Sequence, residues 1–87
     1  METSEIRSKL LALLTNIAPD VEPGSVNPDR DLRDQFDFDS MDTLHFATAI
    51  SETFGIDVGQ TDYPRLASLR AAGEFVQNSL ARAGPVR

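Results

Sequence analysis

Apolar residues recur at helical spacing along the first part of the chain. They lie three or four positions apart and are Ile6, Leu10, Leu13, Leu14 and Ile17. Because this spacing places side chains on one face of a helix, it predicts an amphipathic helix. Thr3 or Ser4 is placed to cap that helix, and Glu5 falls in its first turn, where negative charge is favourable. Pro19 is expected to stop the helix, since a proline disfavours helical geometry in the residue before it.

A second apolar stripe predicts a helix from about residue 40 to residue 54. Its buried face consists of Phe46, Ala47, Ile50 and Phe54, and its exposed flank of Met41, Leu44, Thr48 and Ser51. Asp39 is a suitable N-cap, and Asp42 stands three residues later, where a capping-box partner is expected. Gly55 follows in the position of a left-handed C-cap. The alternative that Met41 and Leu44 belong to the core stays open, because boundaries inferred from sequence err by a few residues.

A third stripe predicts the last helix, with an inward face of Leu69, Ala72, Val76 and Leu80 and with Phe75 beside it. Ser68 is placed to cap this helix, and Gly84 and Pro85 are expected to end it, with the last residues frayed. Residues 62–66 predict a short helical turn that tolerates Pro64 in its first turn. Residues 56–58 predict an extended loop that inserts Ile56 and Val58 into the core, because a lone strand would be unstable.

A long loop separates the first two helices. Residues 19–38 contain three prolines and one glycine and lack periodicity. A short helical turn is expected over residues 31–35, and four apolar anchors across the bundle are expected at Val21, Val26, Leu32 and Phe36. The chain is thus expected to form one domain over residues 1–87, with its core at about 4–82. Its fold class is all-α: a small four-helix bundle of three main helices and one short one.

The charge distribution narrows the choice of partners. The chain of 87 residues has a net charge of −6, and residues 34–62 contain seven acidic side chains and no Lys or Arg. Such a surface repels a phosphate backbone, which argues against nucleic acid, and it attracts basic protein surfaces. No cysteine is present, and the longest unbroken apolar run, residues 10–14, is too short to span a bilayer. We therefore expect no membrane insertion, a cytoplasmic location and a monomer.

Ser40 is the residue with the clearest candidate chemistry. It stands between acidic neighbours, where the long loop meets a helix N-terminus that favours a phosphate ester. The plainer alternative is an ordinary first-turn serine beside an aspartate cap. No base is adjacent in sequence, and the lone histidine, His45, lies off the serine's face, so no catalytic residue is predicted. The aspartates around Ser40 lack the glycine and closing glutamate of a calcium loop, so no metal site is predicted either.

Three motifs in order resemble those of the acyl carrier proteins. They are Asp39-Ser40-Met41-Asp42-Thr43, Phe54-Gly55-Ile56-Asp57-Val58 and Leu66-Ala67-Ser68-Leu69. The resemblance implies a 4′-phosphopantetheine arm, derived from coenzyme A, on Ser40, with Asp39 capping the helix and presenting the serine. It implies a docking surface formed by Met41, Asp42, Leu44, His45 and Glu52. It also implies a cleft for the acyl chain, lined by Phe46, Ile50, Phe54, Val58 and Leu69.

The function implied by this resemblance is that of a carrier without enzymatic activity of its own. Its arm would hold acyl or aminoacyl intermediates as thioesters in lipid, polyketide or related secondary-metabolite biosynthesis. Its partners would be a phosphopantetheinyl transferase and ligases or synthases with basic docking patches. Asp37 stands where the family usually has glycine, Phe38 follows it, and His45 replaces an acidic residue, which favours a specialised carrier. The competing hypothesis is an unmodified acidic helical interaction module.

Overall fold

Helices form every regular element of the part that the computed structural model describes, residues 2–83. The main helices are α1 (Thr3–Ile17), α3 (Ser40–Phe54) and α4 (Leu69–Ala83), and a short α2 (Leu32–Gln35) lies in the long loop. Two segments are 3₁₀ helices, Pro23–Ser25 and Gln60–Leu66. This confirms the predicted all-α bundle. The predicted helix end at Gly84 and Pro85 lies outside the described residues.

The three main helices surround one apolar core. α1 packs against α3 and α4, and the second 3₁₀ helix packs across α3 and α4. Each main helix contributes its predicted stripe, and the side chains that are fully buried include Ile6, Leu10, Leu14, Phe46, Ile50 and Val76. No buried side-chain nitrogen or oxygen in residues 2–83 lacks a hydrogen-bond partner. Apolar packing with few interior polar groups therefore holds the bundle together.

The start of α1 differs from the prediction. Glu2 is the N-cap residue and its side chain makes no capping hydrogen bond, so the predicted cap at Thr3 or Ser4 is wrong. The physical reason is that the helix begins earlier, since the Ile6 N–H donates to the Glu2 carbonyl at 3.0 Å. The hydroxyl of Thr3 donates instead to Oε1 of Gln77 on α4, at 3.2 Å. The end of α1 at Ile17, before Pro19, agrees with the prediction.

The connection from α3 to α4 agrees with the prediction except at one boundary. Gly55 has φ 68°, the left-handed geometry expected of the C-cap. Ile56 is buried and Val58 half-buried in an extended segment, as predicted. The 3₁₀ helix begins at Gln60 rather than at residue 62, because the Asp62 carboxylate accepts the Gly59 N–H at 3.1 Å and caps the helix from within.

The long loop lies across the bundle and is tied to the start of α4. Among the four predicted anchors, Val21 and Leu32 are buried, and Val26 and Phe36 pack half-buried against the core. The predicted turn over residues 31–35 is α2, capped by the Asp31 carboxylate, which accepts the Arg33 N–H at 2.9 Å. Phe38, which was not among the predicted anchors, is also buried.

Two backbone hydrogen bonds and one ion pair hold this loop against its neighbours. The Leu32 N–H donates to the Ala67 carbonyl at 2.7 Å, and the Arg70 N–H donates to the Pro28 carbonyl at 2.9 Å. The Arg70 guanidinium also pairs with the Asp29 carboxylate. The hydrogen bond within this pair, together with the charge of Arg70, lowers the pKa of Asp29 from its ordinary value of 3.8. The same bond raises the pKa of Arg70. The loop therefore has a defined path up to α3.

Candidate functional site

A reciprocal capping box opens α3. The Asp39 carboxylate accepts the Asp42 N–H at 2.9 Å, and the Asp42 carboxylate accepts the Asp39 N–H at 3.2 Å. The Thr43 hydroxyl donates to the Asp39 carbonyl at 3.2 Å, which adds a third bond across the same turn. The two carboxylate bonds each satisfy a backbone N–H that a helix end leaves without an intrahelical partner, whereas the Asp39 carbonyl already accepts the Thr43 N–H at 3.0 Å. The predicted cap is confirmed, and the position of the first helical residue is fixed.

Ser40 is that first helical residue. Its side chain is exposed, and its hydroxyl has no hydrogen-bond partner among residues 2–83. It lies at the positive end of the α3 dipole, where an anionic substituent is favoured. The neighbouring Asp39 and Asp42 carboxylates oppose this effect by charge repulsion, and each is held in a hydrogen bond to a backbone N–H. The geometry therefore offers a reachable hydroxyl on a rigid turn, with nothing to displace before it can react.

No side chain is positioned to activate this hydroxyl. His45 is exposed and, at about 100° per residue, stands roughly 140° around α3 from Ser40. No group of three or more potential metal-ligating side chains exists in residues 2–83. The arrangement can accept a group that another enzyme transfers, whereas Ser40 has no neighbouring base to make it a nucleophile.

The predicted docking residues share an exposed side of α3. Met41 is 57% exposed and Leu44 40% exposed, and they are the large hydrophobic residues left exposed in the described part of the chain. The alternative that they belong to the core is therefore wrong. His45 and Glu52 are also exposed, and Asp42 is half-buried by its capping role. Their exposure makes them accessible to a partner, and their use in docking stays a prediction.

A groove of about 350 Å³ opens beside the first turn of α3. Three parts of the chain line the groove. The long loop contributes Asp31, Leu32, Arg33 and Phe38, α3 contributes Thr43, and the second 3₁₀ helix and the residue after it contribute Tyr63, Pro64, Leu66 and Ala67. Thr43 stands three residues after Ser40, hence on the same side of the helix. The groove is therefore a neighbour of the serine, with an apolar floor and polar groups at its rim.

None of the predicted cleft residues lines this groove. Phe46, Ile50, Phe54 and Leu69 are buried in the core, and Val58 is half-buried against it. Sequence reasoning missed Phe38, Thr43, Tyr63 and Leu66 because their shared groove depends on the path of the loop. The one signal in the sequence that could have indicated the groove was Thr43, which stands three residues after Ser40 and so lies on the same side of the helix. A cleft walled by the five predicted residues stays a prediction, and the open groove has a different lining.

No helix within residues 2–83 combines the length and apolar character needed to cross a bilayer. Comparison with protein families gives a match that includes Ser40. A family model described as "Phosphopantetheine attachment site" matches residues 8–76. The match begins inside α1 and ends inside α4, so it includes Ser40 and covers more than half of the chain.

Two curated proteins illustrate the similarity. The "Acyl carrier protein" of Thermosynechococcus vestitus is 26% identical over 81 residues, which cover 93% of this chain and 99% of that protein. The "Acyl carrier protein 2, mitochondrial" of Arabidopsis thaliana is 24% identical over 76 residues, or 87% of this chain. The matched part spans 60% of the length of that plant protein.

Proposed function

The chain belongs to the phosphopantetheine-attachment family, and from that premise we propose that it is an acyl carrier protein modified on Ser40. Family membership implies a covalently attached 4′-phosphopantetheine. The observation that supports Ser40 is its position, an exposed and unbonded hydroxyl at the first residue of a capped helix, inside the matched region. This carrier role makes the protein a substrate and partner of enzymes rather than an enzyme.

The residues around Ser40 fit the group. The serine oxygen is accessible, the α3 N-terminus favours the negative charge of a phosphate, and the capping box of Asp39 and Asp42 holds the turn in place. When bound, the arm supplies a thiol that carries an acyl group as a thioester. The chain itself presents the attachment point and orients it, because the first turn of α3 is bonded on both sides of Ser40.

The exposed side of α3 is the proposed docking surface for the transferase and for acyl or aminoacyl ligases and synthases. Met41 and Leu44 expose apolar area next to Ser40, and methionine adapts its shape to different partners. Asp42 and Glu52 add negative charge and belong to residues 34–62, the segment with seven acidic side chains and no Lys or Arg. A partner with basic residues around an apolar centre would complement this surface.

The groove beside Ser40 is the proposed resting place for the cargo. Its floor includes Leu32, Phe38 and Leu66, all nearly inaccessible to solvent, and its rim includes Thr43 and Tyr63. A mostly apolar lining with a few polar groups is typical of small-molecule sites. We propose acyl groups from lipid, polyketide or related secondary-metabolite biosynthesis as the cargo. The cytoplasmic location and the monomeric state stay predictions.

Intact-mass spectrometry tests the attachment site. The wild-type chain, coexpressed with a broad-specificity phosphopantetheinyl transferase, is expected to gain the mass of one phosphopantetheinyl group. Ser40→Ala is expected to gain none, whereas Ser25→Ala, an exposed loop serine, should be modified like the wild type. A wild type that stays unmodified with several transferases would contradict the proposal and favour the adaptor hypothesis. A modified Ser40→Ala would place the group on another residue.

A further inference from the structure

We propose that Phe38 sets the length of acyl chain that the groove beside Ser40 can hold. Phe38 lines the groove, yet only 5% of it is exposed, so its ring faces the groove over a small area and the core over the rest. Phe38 also forms an aromatic pair with Phe46, a side chain of the core. The identity of the occupant rests on the proposed function, whereas the position of this wall rests on the geometry.

The ring of Phe38 stands between the groove and the interior of the bundle. It packs edge-to-face on Phe46, with the ring centroids 6.1 Å apart and the ring planes at 88°. Phe46 is fully buried and does not line the groove. Phe38 is therefore the lining residue that separates the groove from Phe46.

A wall at a fixed depth has a measurable consequence for chains of increasing length. Each methylene that enters the groove strengthens binding about fourfold, as expected for burial of one CH₂ group. Once the chain end reaches Phe38, further methylenes stay in water and add little. Affinity should therefore rise with chain length and then reach a plateau. Replacing Phe38 with a smaller side chain should move the plateau to longer chains, because the space of the ring becomes available.

The test uses the unmodified protein and free ligands, so it does not depend on Ser40. N-acetylcysteamine thioesters of straight-chain acids, from butyryl to dodecanoyl, imitate the end of the arm with its cargo. Titrations followed by ¹H–¹⁵N NMR give the affinity of each thioester, and shifts of Thr43 and Leu66 amides report entry into the groove. The wild type should reach its plateau within the series. Phe38→Leu should keep gaining affinity by at least one further methylene, about fourfold at the longer lengths.

Phe75→Leu is the matched control, because Phe75 is a buried aromatic residue of α4 that neither lines the groove nor belongs to the predicted cleft. It should leave the plateau where the wild type has it. If Phe38→Leu does not fold, Phe38→Met supplies a side chain of about the volume of leucine that is unbranched and flexible, so it can adapt to the remaining space and be displaced by a ligand. An unchanged plateau in the folded Phe38 variant would overturn the proposal. So would a plateau that moves in Phe75→Leu, or the absence of groove shifts with every thioester.

This inference and the proposed function can fail separately. An unmodified wild type in the mass experiment would reject Ser40 as the attachment site and leave the titration intact. A titration without a length plateau would reject Phe38 as the wall and leave the mass result intact. The inference goes beyond the carrier role, since it says which single side chain of this protein limits its cargo.

Discussion

Replacing Asp39 tests whether the capping box holds the turn that presents Ser40. Asp39→Ala removes the carboxylate that accepts the Asp42 N–H at 2.9 Å. The second bond of the capping box, from the Asp39 N–H to the Asp42 carboxylate, then remains alone. Loss of an N-cap side chain typically lowers the free energy of unfolding by about 1 kcal/mol. For a domain of this size, 1 kcal/mol lowers the melting temperature by roughly 4–8 °C. We expect a loss of that magnitude for Asp39→Ala.

Two further variants separate hydrogen bonding from charge. Asp39→Asn keeps a capping oxygen and removes the charge, so it should lose less than half as much stability as Asp39→Ala. Asp37→Ala removes a neighbouring exposed charge whose side chain makes no hydrogen bond within residues 2–83, and it should change stability little. Thermal and urea unfolding followed by circular dichroism measure all three. If Asp39→Asn were as destabilised as Asp39→Ala, charge rather than capping would account for the effect, and the reasoning would be refuted.

Two other predictions concern the helix end and the loop. Gly55→Ala should lower the free energy of unfolding by about 1–2 kcal/mol, because a Cβ is unfavourable at φ 68° although no atom lies within 4 Å of it. Gly24→Ala, also without a close neighbour but without a positive φ, is the control and should not show this loss in the same urea titration. Asp29→Asn should lower the melting temperature at neutral pH, because Arg70 lowers the pKa of Asp29 in the folded chain. The difference in melting temperature between the wild type and Asp29→Asn should persist at pH values above 3.8, the ordinary pKa of Asp29. It should shrink as the pH falls through the lowered pKa and vanish below it. A difference in melting temperature that does not depend on pH would argue against this ion pair.

The bounds of α3 could be predicted from sequence because every signal that sets them is local. Asp39 and Asp42 are three residues apart, and Gly55 follows the last apolar residue of the stripe. Such caps depend on the chain within one turn, so they need no knowledge of the fold. The same locality allowed Ser40 to be placed at the helix N-terminus. Where the local signal was ambiguous, as at Thr3, the prediction failed by one or two residues.

The groove could not be predicted, because it is assembled from contacts between distant segments. Phe38 follows a loop without periodicity, so nothing in its local sequence indicates that its ring reaches Phe46. The pairing of Asp29 with Arg70 joins residues 41 positions apart. Which loop residues become buried depends on such tertiary contacts rather than on spacing. The predicted cleft residues on α3, which are Phe46, Ile50 and Phe54, share the helix face that packs in the core.

The depth and the width of the groove are both set by side chains that belong to the core. Its end wall, Phe38, packs against the fully buried Phe46, so depth can change only if a core contact is lost. Its sides come from the loop and from the second 3₁₀ helix, which the hydrogen bond from Leu32 to Ala67 joins at 2.7 Å. Leu32 and Leu66 on those sides are each 1% exposed, and they belong to the same core cluster as Phe38. Widening the groove would therefore disturb core contacts just as deepening it would, so a cargo would meet fixed sides as well as a fixed end.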